Sequence, residues 1–148
     1  MNKILPFFFV LVCCLVACTD EECMTGGIDI KDIESFGCGS SAFDMQVNTS
    51  NEFELIRNQD EFEMLVAANC SPDINWQEYD LIAGQRSFNR GVDSVVKSLV
   101  RDCLNNQVIL RITFTLNDAT EAVTIPFNTL IPKLSNDQLI FVEFIVNE

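Results

Sequence analysis

Seven cysteines, 22 acidic residues and no histidine define the side-chain chemistry open to this chain. Without histidine, Ser-His-Asp and Cys-His catalysis, His-ligated zinc and the 2-His-1-carboxylate iron site are all excluded. A cysteine nucleophile needs a basic neighbourhood to hold its thiolate, and the sequence supplies none clearly. Zinc on thiolates calls for a Cys-x2-4-Cys pair, and none follows Cys18. Carboxylate acid–base work needs two converging acids. Asp60, Glu61 and Glu63 cluster where a helix is expected to begin, and the helix dipole accounts for them. Lys97 beside Ser98, and Lys133 near Ser135, read as solvated lysines rather than Ser–Lys dyads. Gly84 and Gly91 stand apart and open no helix, so no phosphate-cradling loop is expected. No catalytic residue, cofactor or metal ligand is assigned.

The charge balance narrows the partners. Nine Lys and Arg against 22 Asp and Glu give a formal net charge of −13. Counterion release on nucleic acid needs clustered cations, so nucleic acid is not an expected partner. The length of 148 residues and a 48% hydrophobic content suit one globular domain with a sizeable core.

The N-terminus reads as an address. Lys3 precedes an apolar run from Ile4 to Ala17, too short to span a bilayer and the right length for a signal-peptide core. It ends Leu15-Val16-Ala17-Cys18, which resembles the lipobox of bacterial lipoproteins. The resemblance implies a signal peptide over 1–17, lipidation of Cys18 and a membrane anchor of several acyl chains. Thr19 after the cysteine favours the outer membrane over inner-membrane retention. Asp20-Glu21-Glu22 is similar to a surface-export tag, and reads equally as a solvated tether.

Four cysteines remain beyond the anchor: Cys23, Cys38, Cys70 and Cys103. An even number in an oxidising compartment predicts two disulfides with three possible pairings. Cys23 and Cys38 share an irregular N-terminal segment, while Cys70 follows an expected helix and Cys103 ends an expected strand. The expected pairs are therefore Cys70–Cys103 and Cys23–Cys38.

Hydrophobic periodicity supplies the elements that must position these residues. Residues 18–42 are polar and glycine-containing, and read as an acylated tether and loop; 43–148 reads as a single domain. Phe53 and Leu55 alternate with charged residues as in a strand. Asn58 followed by Glu61 suits a helix cap, and Phe62, Leu65 and Val66 give an amphipathic helix over 59–69. Leu81 to Gly84 forms a short apolar strand. Residues 92–103 fit helix spacing, yet their β-branched content and the Asn105-Asn106 turn favour a hairpin arm. Val108, Leu110, Ile112, Phe114 and Leu116 alternate with Arg111, Thr113 and Thr115, so one face is buried and one is wet. Val123, Ile125 and Phe127 alternate around Pro126, which suggests an edge or a bulge. Leu139 to Val146 is apolar on both faces except at Glu143 and reads as a central strand. The expected fold is α+β: a mainly antiparallel sheet of five or more strands with one helix.

Two aromatics could bind a ligand. Trp76 and Tyr79 are the only Trp and Tyr, the residue types that build glycan platforms, although core packing is the commoner fate. Asn48-Thr49-Ser50 matches the N-glycosylation sequon, and Asp93-Ser94-Val95 a short O-glycosylation motif.

The run Ile56 to Phe62, then Pro72-Asp73-Ile74-Asn75-Trp76, then Tyr79 to Gly84 is similar to small bacterial envelope lipoproteins. Ile131-Pro132-Lys133-Leu134 fits the same group. The pattern also resembles the C-terminal domain of protease-complex accessory proteins of the PrcB type, over about residues 52–146. Asn75-Trp76 stands where that pattern has Asp-Phe, and no Gly-Gly-Tyr follows Gly91. The resemblance implies no catalytic residue. Together these features suggest a lipid-anchored, non-enzymatic accessory protein that contacts another envelope protein through an exposed sheet face. The alternative is a small-ligand or glycan-binding surface lipoprotein using Trp76 and Tyr79.

Overall fold

A computed structural model describes residues 26–36, 45–49, 51–68 and 70–148. In chain order its strands are β1 (Gly27–Ile28), β2 (Met45–Val47), β3 (Phe53–Ile56), β4 (Val66–Ala68), β5 (Tyr79–Phe88), β6 (Val92–Asp102), β7 (Gln107–Leu116), β8 (Val123–Pro132) and β9 (Leu139–Asn147). A 3-10 turn covers Ile33–Phe36 and one helix, α1, covers Gln59–Leu65. The fold is α+β and mainly β.

Three sheets form. The largest has the order β1-β6-β7-β9, the second β3-β5-β8, and β2 pairs with β4 in a short ribbon. Every pairing is antiparallel except β7 with β9. The three-stranded sheet is the middle layer. Ile82, Phe127 and Ile131 pack with Leu99, Val108, Leu110, Ile112 and Phe114 of the large sheet. On its other side Leu81, Ala83 and Leu130 pack with Met45, Val47, Ile56, Phe62 and Val66. Burying one half of β5 and β8 on both faces requires apolar residues at consecutive positions, which Leu81-Ile82-Ala83 and Leu130-Ile131 supply.

The alternation in β7 is realised as expected. Val108, Leu110, Ile112 and Phe114 are each fully buried, and Arg111 on the opposite face is exposed. Residues 92–103 are strand, with β6 joined to β7 by a hairpin in which Asn106 takes a left-handed φ of 50°. Asparagine tolerates that conformation better than most residues. Pro126 lies on β8, an edge strand of its sheet.

Three expectations need correction. The helix stops at Leu65, four residues before the expected end, because Val66 turns extended and starts β4. A β-branched residue fits a strand well, and the register Val47↔Val66 supplies a partner for it. Residues 26–36 are part of the fold rather than of a tether. Gly27 and Ile28 pair with Val100 and Leu99, Lys31 bridges Leu130, and Ile33 is buried. Finally, β9 is an edge strand, not a central one. Its apolar side chains on two faces stay partly exposed, whereas β5, flanked by β3 and β8, is buried on both faces in its first half.

Candidate functional site

The outer face of the large sheet stands out once the register is read. Its rows run Val96–Thr113–Ile145, Ser98–Arg111–Glu143, Val100–Ile109–Phe141 and Asp102–Gln107–Leu139 across β6, β7 and β9. Val96, Leu139 and Phe141 are 59%, 57% and 47% exposed, and no described element covers this face. Arg111 Nε donates to Glu143 Oε2 at 2.6 Å, with both side chains about half exposed. Such a pair adds little to stability in solvent. It does neutralise the centre of the face, leaving apolar rows on either side of a closed ion pair. Strands about 4.8 Å apart and rows about 6.8 Å apart give an area on the order of 300–400 Å². Six of its twelve positions are apolar, so the apolar share is about half of that area, grouped on one sheet face as in a contact surface.

Residues singled out for chemistry disperse. Trp76 is half-buried, lies 6.2 Å from the Phe62 ring and donates through Nε1 to Gln59 Oε1 at 3.1 Å. Tyr79 opens β5, meets the Phe36 ring edge-on at 5.7 Å and accepts a hydrogen bond from Lys31 Nζ. That bond holds the Lys31 ammonium above the usual lysine range. The two aromatics thus sit against different neighbours, the helix and the 3-10 turn, rather than as one stacked platform.

The Ser–Lys proximities also separate. Along β6, Lys97 and Ser98 point to opposite faces; Lys97 pairs with Asp32 and donates to the Asn128 carbonyl at 2.8 Å. Lys133 Nζ lies 2.6 Å from Asp80 Oδ1 and donates to the Arg57 carbonyl at 2.9 Å. Of the acids at the helix start, Glu61 accepts from the Arg57 N–H at 2.8 Å, while Asn58 Oδ1 accepts from the Glu61 N–H at 2.9 Å. Glu63 accepts from Gln59 at 2.9 Å. These acids cap and staple the helix. Among the described residues no three Cys, Asp or Glu side chains converge as a metal site.

Cys70 and Cys103 are both disulfide-bonded. Cys70 packs against the cluster around Phe62, and Cys103 stands in the β6–β7 hairpin. Cys18, Cys23 and Cys38, with the signal peptide over 1–17, lie outside the described residues. No helix among the described residues is long and apolar enough to cross a membrane.

The sequence did not reveal two features. Asp80 is completely buried, and its Oδ2 accepts from the Leu134 N–H at 3.0 Å. Its position in an apolar run was the available signal. A shallow cleft of about 300 Å³ is lined by Gln46, Val47, Asn48, Ala67 and Gln85, from β2, β4 and β5. No local pattern links those residues, because only the packing of the β2–β4 ribbon against β5 brings them together.

No family model matches the chain, and neither a characterised protein nor a solved structure matches it significantly.

Proposed function

We propose that the protein is a lipid-anchored, non-enzymatic accessory protein of the bacterial outer membrane that acts by binding another envelope protein. The contact surface is the outer face of β6, β7 and β9. The observation that carries this reading is the uncovered apolar face around the closed Arg111–Glu143 pair. Apolar side chains left in water on a regular sheet cost free energy that a partner's surface would recover. The anchor rests on the Leu15-Val16-Ala17-Cys18 motif, and four acyl-proximal residues, Thr19 to Glu22, would connect it to the rest of the chain.

The test is site-specific photo-cross-linking of the full chain in its native membrane. A photoreactive side chain at Ser98, exposed on the outer face, should give one discrete protein adduct. The same group at Ser87, exposed at the far end of β5, should give none. Val96→Glu should abolish the Ser98 adduct while the circular dichroism spectrum stays unchanged. Equal labelling from both positions, or substrate turnover by the purified protein, overturns the proposal.

A second reading, binding of a small polar ligand or glycan, draws on the amide-lined cleft of Gln46, Asn48 and Gln85. Carboxamides both donate and accept, which suits hydroxyl-rich ligands. A glycan panel that perturbs Gln85 NMR resonances but leaves the outer face unshifted would favour it.

A further inference from the structure

We infer that the edge of β9 away from β7, which has no paired strand among the described residues, receives an extended, basic-apolar segment of the partner, which continues the large sheet by one strand. The inference deepens the accessory reading and concerns the strand edge, not the face.

The sheet edges of the described residues differ in how they are protected. β1 has two residues, β3 four, and the β2–β4 ribbon three on each side. β8 carries Pro126 and Pro132, and Lys31 occupies its edge at Leu130 through bonds of 3.0 and 2.8 Å. Short length, proline and a covering segment are the usual ways to blunt an edge. β9 has none of them. It runs for nine residues, pairs with β7 in an unbroken register, and contains seven apolar residues, no proline and no lysine. Its outward N–H and C=O groups form a template for strand addition.

Size and charge indicate what fills it. A stable interface buries about 800 Å² on each partner, roughly twice the outer face alone. A strand on β9 adjoins Leu139, Phe141 and Ile145 on one face and Ile140, Val142 and Phe144 on the other, extending the contact without a gap. The chain carries a formal −13, and among the described residues four cations are already in ion pairs. The incoming strand is therefore basic, with a cation beside Glu143 to extend the Arg111–Glu143 ladder. A second copy fits less well. It brings the same −13, and pairing two β9 strands about their midpoint sets Glu143 against its own copy.

The experiment uses the full-length protein in detergent and three capped nine-residue peptides. One alternates valine and lysine, one alternates valine and glutamate, and one is the lysine peptide with alternate amides N-methylated. Fluorescence anisotropy gives affinity, and hydrogen exchange locates the site. The lysine peptide should bind, slow exchange across 139–147, and exceed the glutamate peptide by at least about tenfold. Glu143→Lys should shrink that difference, and N-methylation should abolish binding. Equal binding of the methylated peptide, protection elsewhere without protection in β9, or a peptide-free dimer with β9 protected would each overturn the inference. A Ser98 adduct that persists alongside such a result leaves the face reading standing; loss of that adduct with β9 binding intact removes only the face.

Discussion

Asp80 shows how one residue can be fixed by its surroundings. Its carboxylate is fully buried, accepts from the Leu134 N–H through Oδ2 and is ion-paired through Oδ1 with Lys133, which holds the end of β8 against the start of β5. Asp80→Asn keeps the shape and removes the charge, and its single amide oxygen can accept from the Leu134 N–H or face Lys133 but not both. We expect a loss of about 1–3 kcal/mol, read as a lower urea midpoint with an unchanged m-value. Gly84 is fixed by space. A Cβ there would meet the Glu52 carbonyl oxygen at 2.4 Å and Phe127 Cζ at 2.6 Å, so β3 and β5 approach too closely for a side chain. Gly84→Ala should destabilise by about 1–3 kcal/mol through overpacking. A thermal unfolding curve unchanged from wild type would contradict that account. Gly84 was visible in the sequence as a strand end, but the reason for a glycine there lies in Glu52 and Phe127.

At the scale of elements, the β6–β7 hairpin carries the clearest pH dependence. Asp102 accepts from Asn105 Nδ2 at 2.8 Å and from the Leu104 N–H at 3.0 Å, and the Asn105 bond chiefly lowers its pKa below the ordinary 3.8. Asp137, beside Asn106, is also lowered, chiefly by Ser135. Lowered carboxylates stabilise the fold above their unfolded value and lose that contribution as pH falls through the folded one. Amide protection in the hairpin should therefore hold from pH 7 to 5 and decline below pH 3.8. Asp102→Asn should flatten that decline, which NMR hydrogen exchange can follow. Local sequence identified this hairpin, because β-branched residues flank a turn-forming Asn pair. It misjudged the end of α1, since whether Val66 continues a helix or starts β4 depends on Val47, nineteen residues earlier.

For the whole molecule, the disulfides at Cys70 and Cys103 are the covalent constraints among the described residues. The described backbone bears on their pairing. The Gly26 carbonyl accepts from the Arg101 N–H at 3.2 Å, and the Phe36 carbonyl accepts from the Asp73 N–H at 3.0 Å. A disulfide needs Cα atoms within about 7 Å, and two or three residues of chain span up to about 10 Å. Non-reducing peptide mapping is therefore expected to link Cys23 to Cys103 and Cys38 to Cys70, in preference to the Cys70–Cys103 pair suggested by sequence position. Reduction should cost about 2–4 kcal/mol per bond, seen as a fall in the denaturation midpoint.

The strand-rich class, the alternation of β7 and the exclusion of histidine chemistry were determined by the sequence, since each depends on residue type or on neighbours one to four positions away. The outer-face rows, the burial of Asp80, the cleft at Gln85 and the edge position of β9 were decided only by the tertiary structure. The physical reason is the pairing register. An apolar strand gains by burial at a sheet centre or against a partner at a sheet edge, and its own residues cannot distinguish the two. Which neighbour lies across the hydrogen bonds is settled by strands tens of residues away.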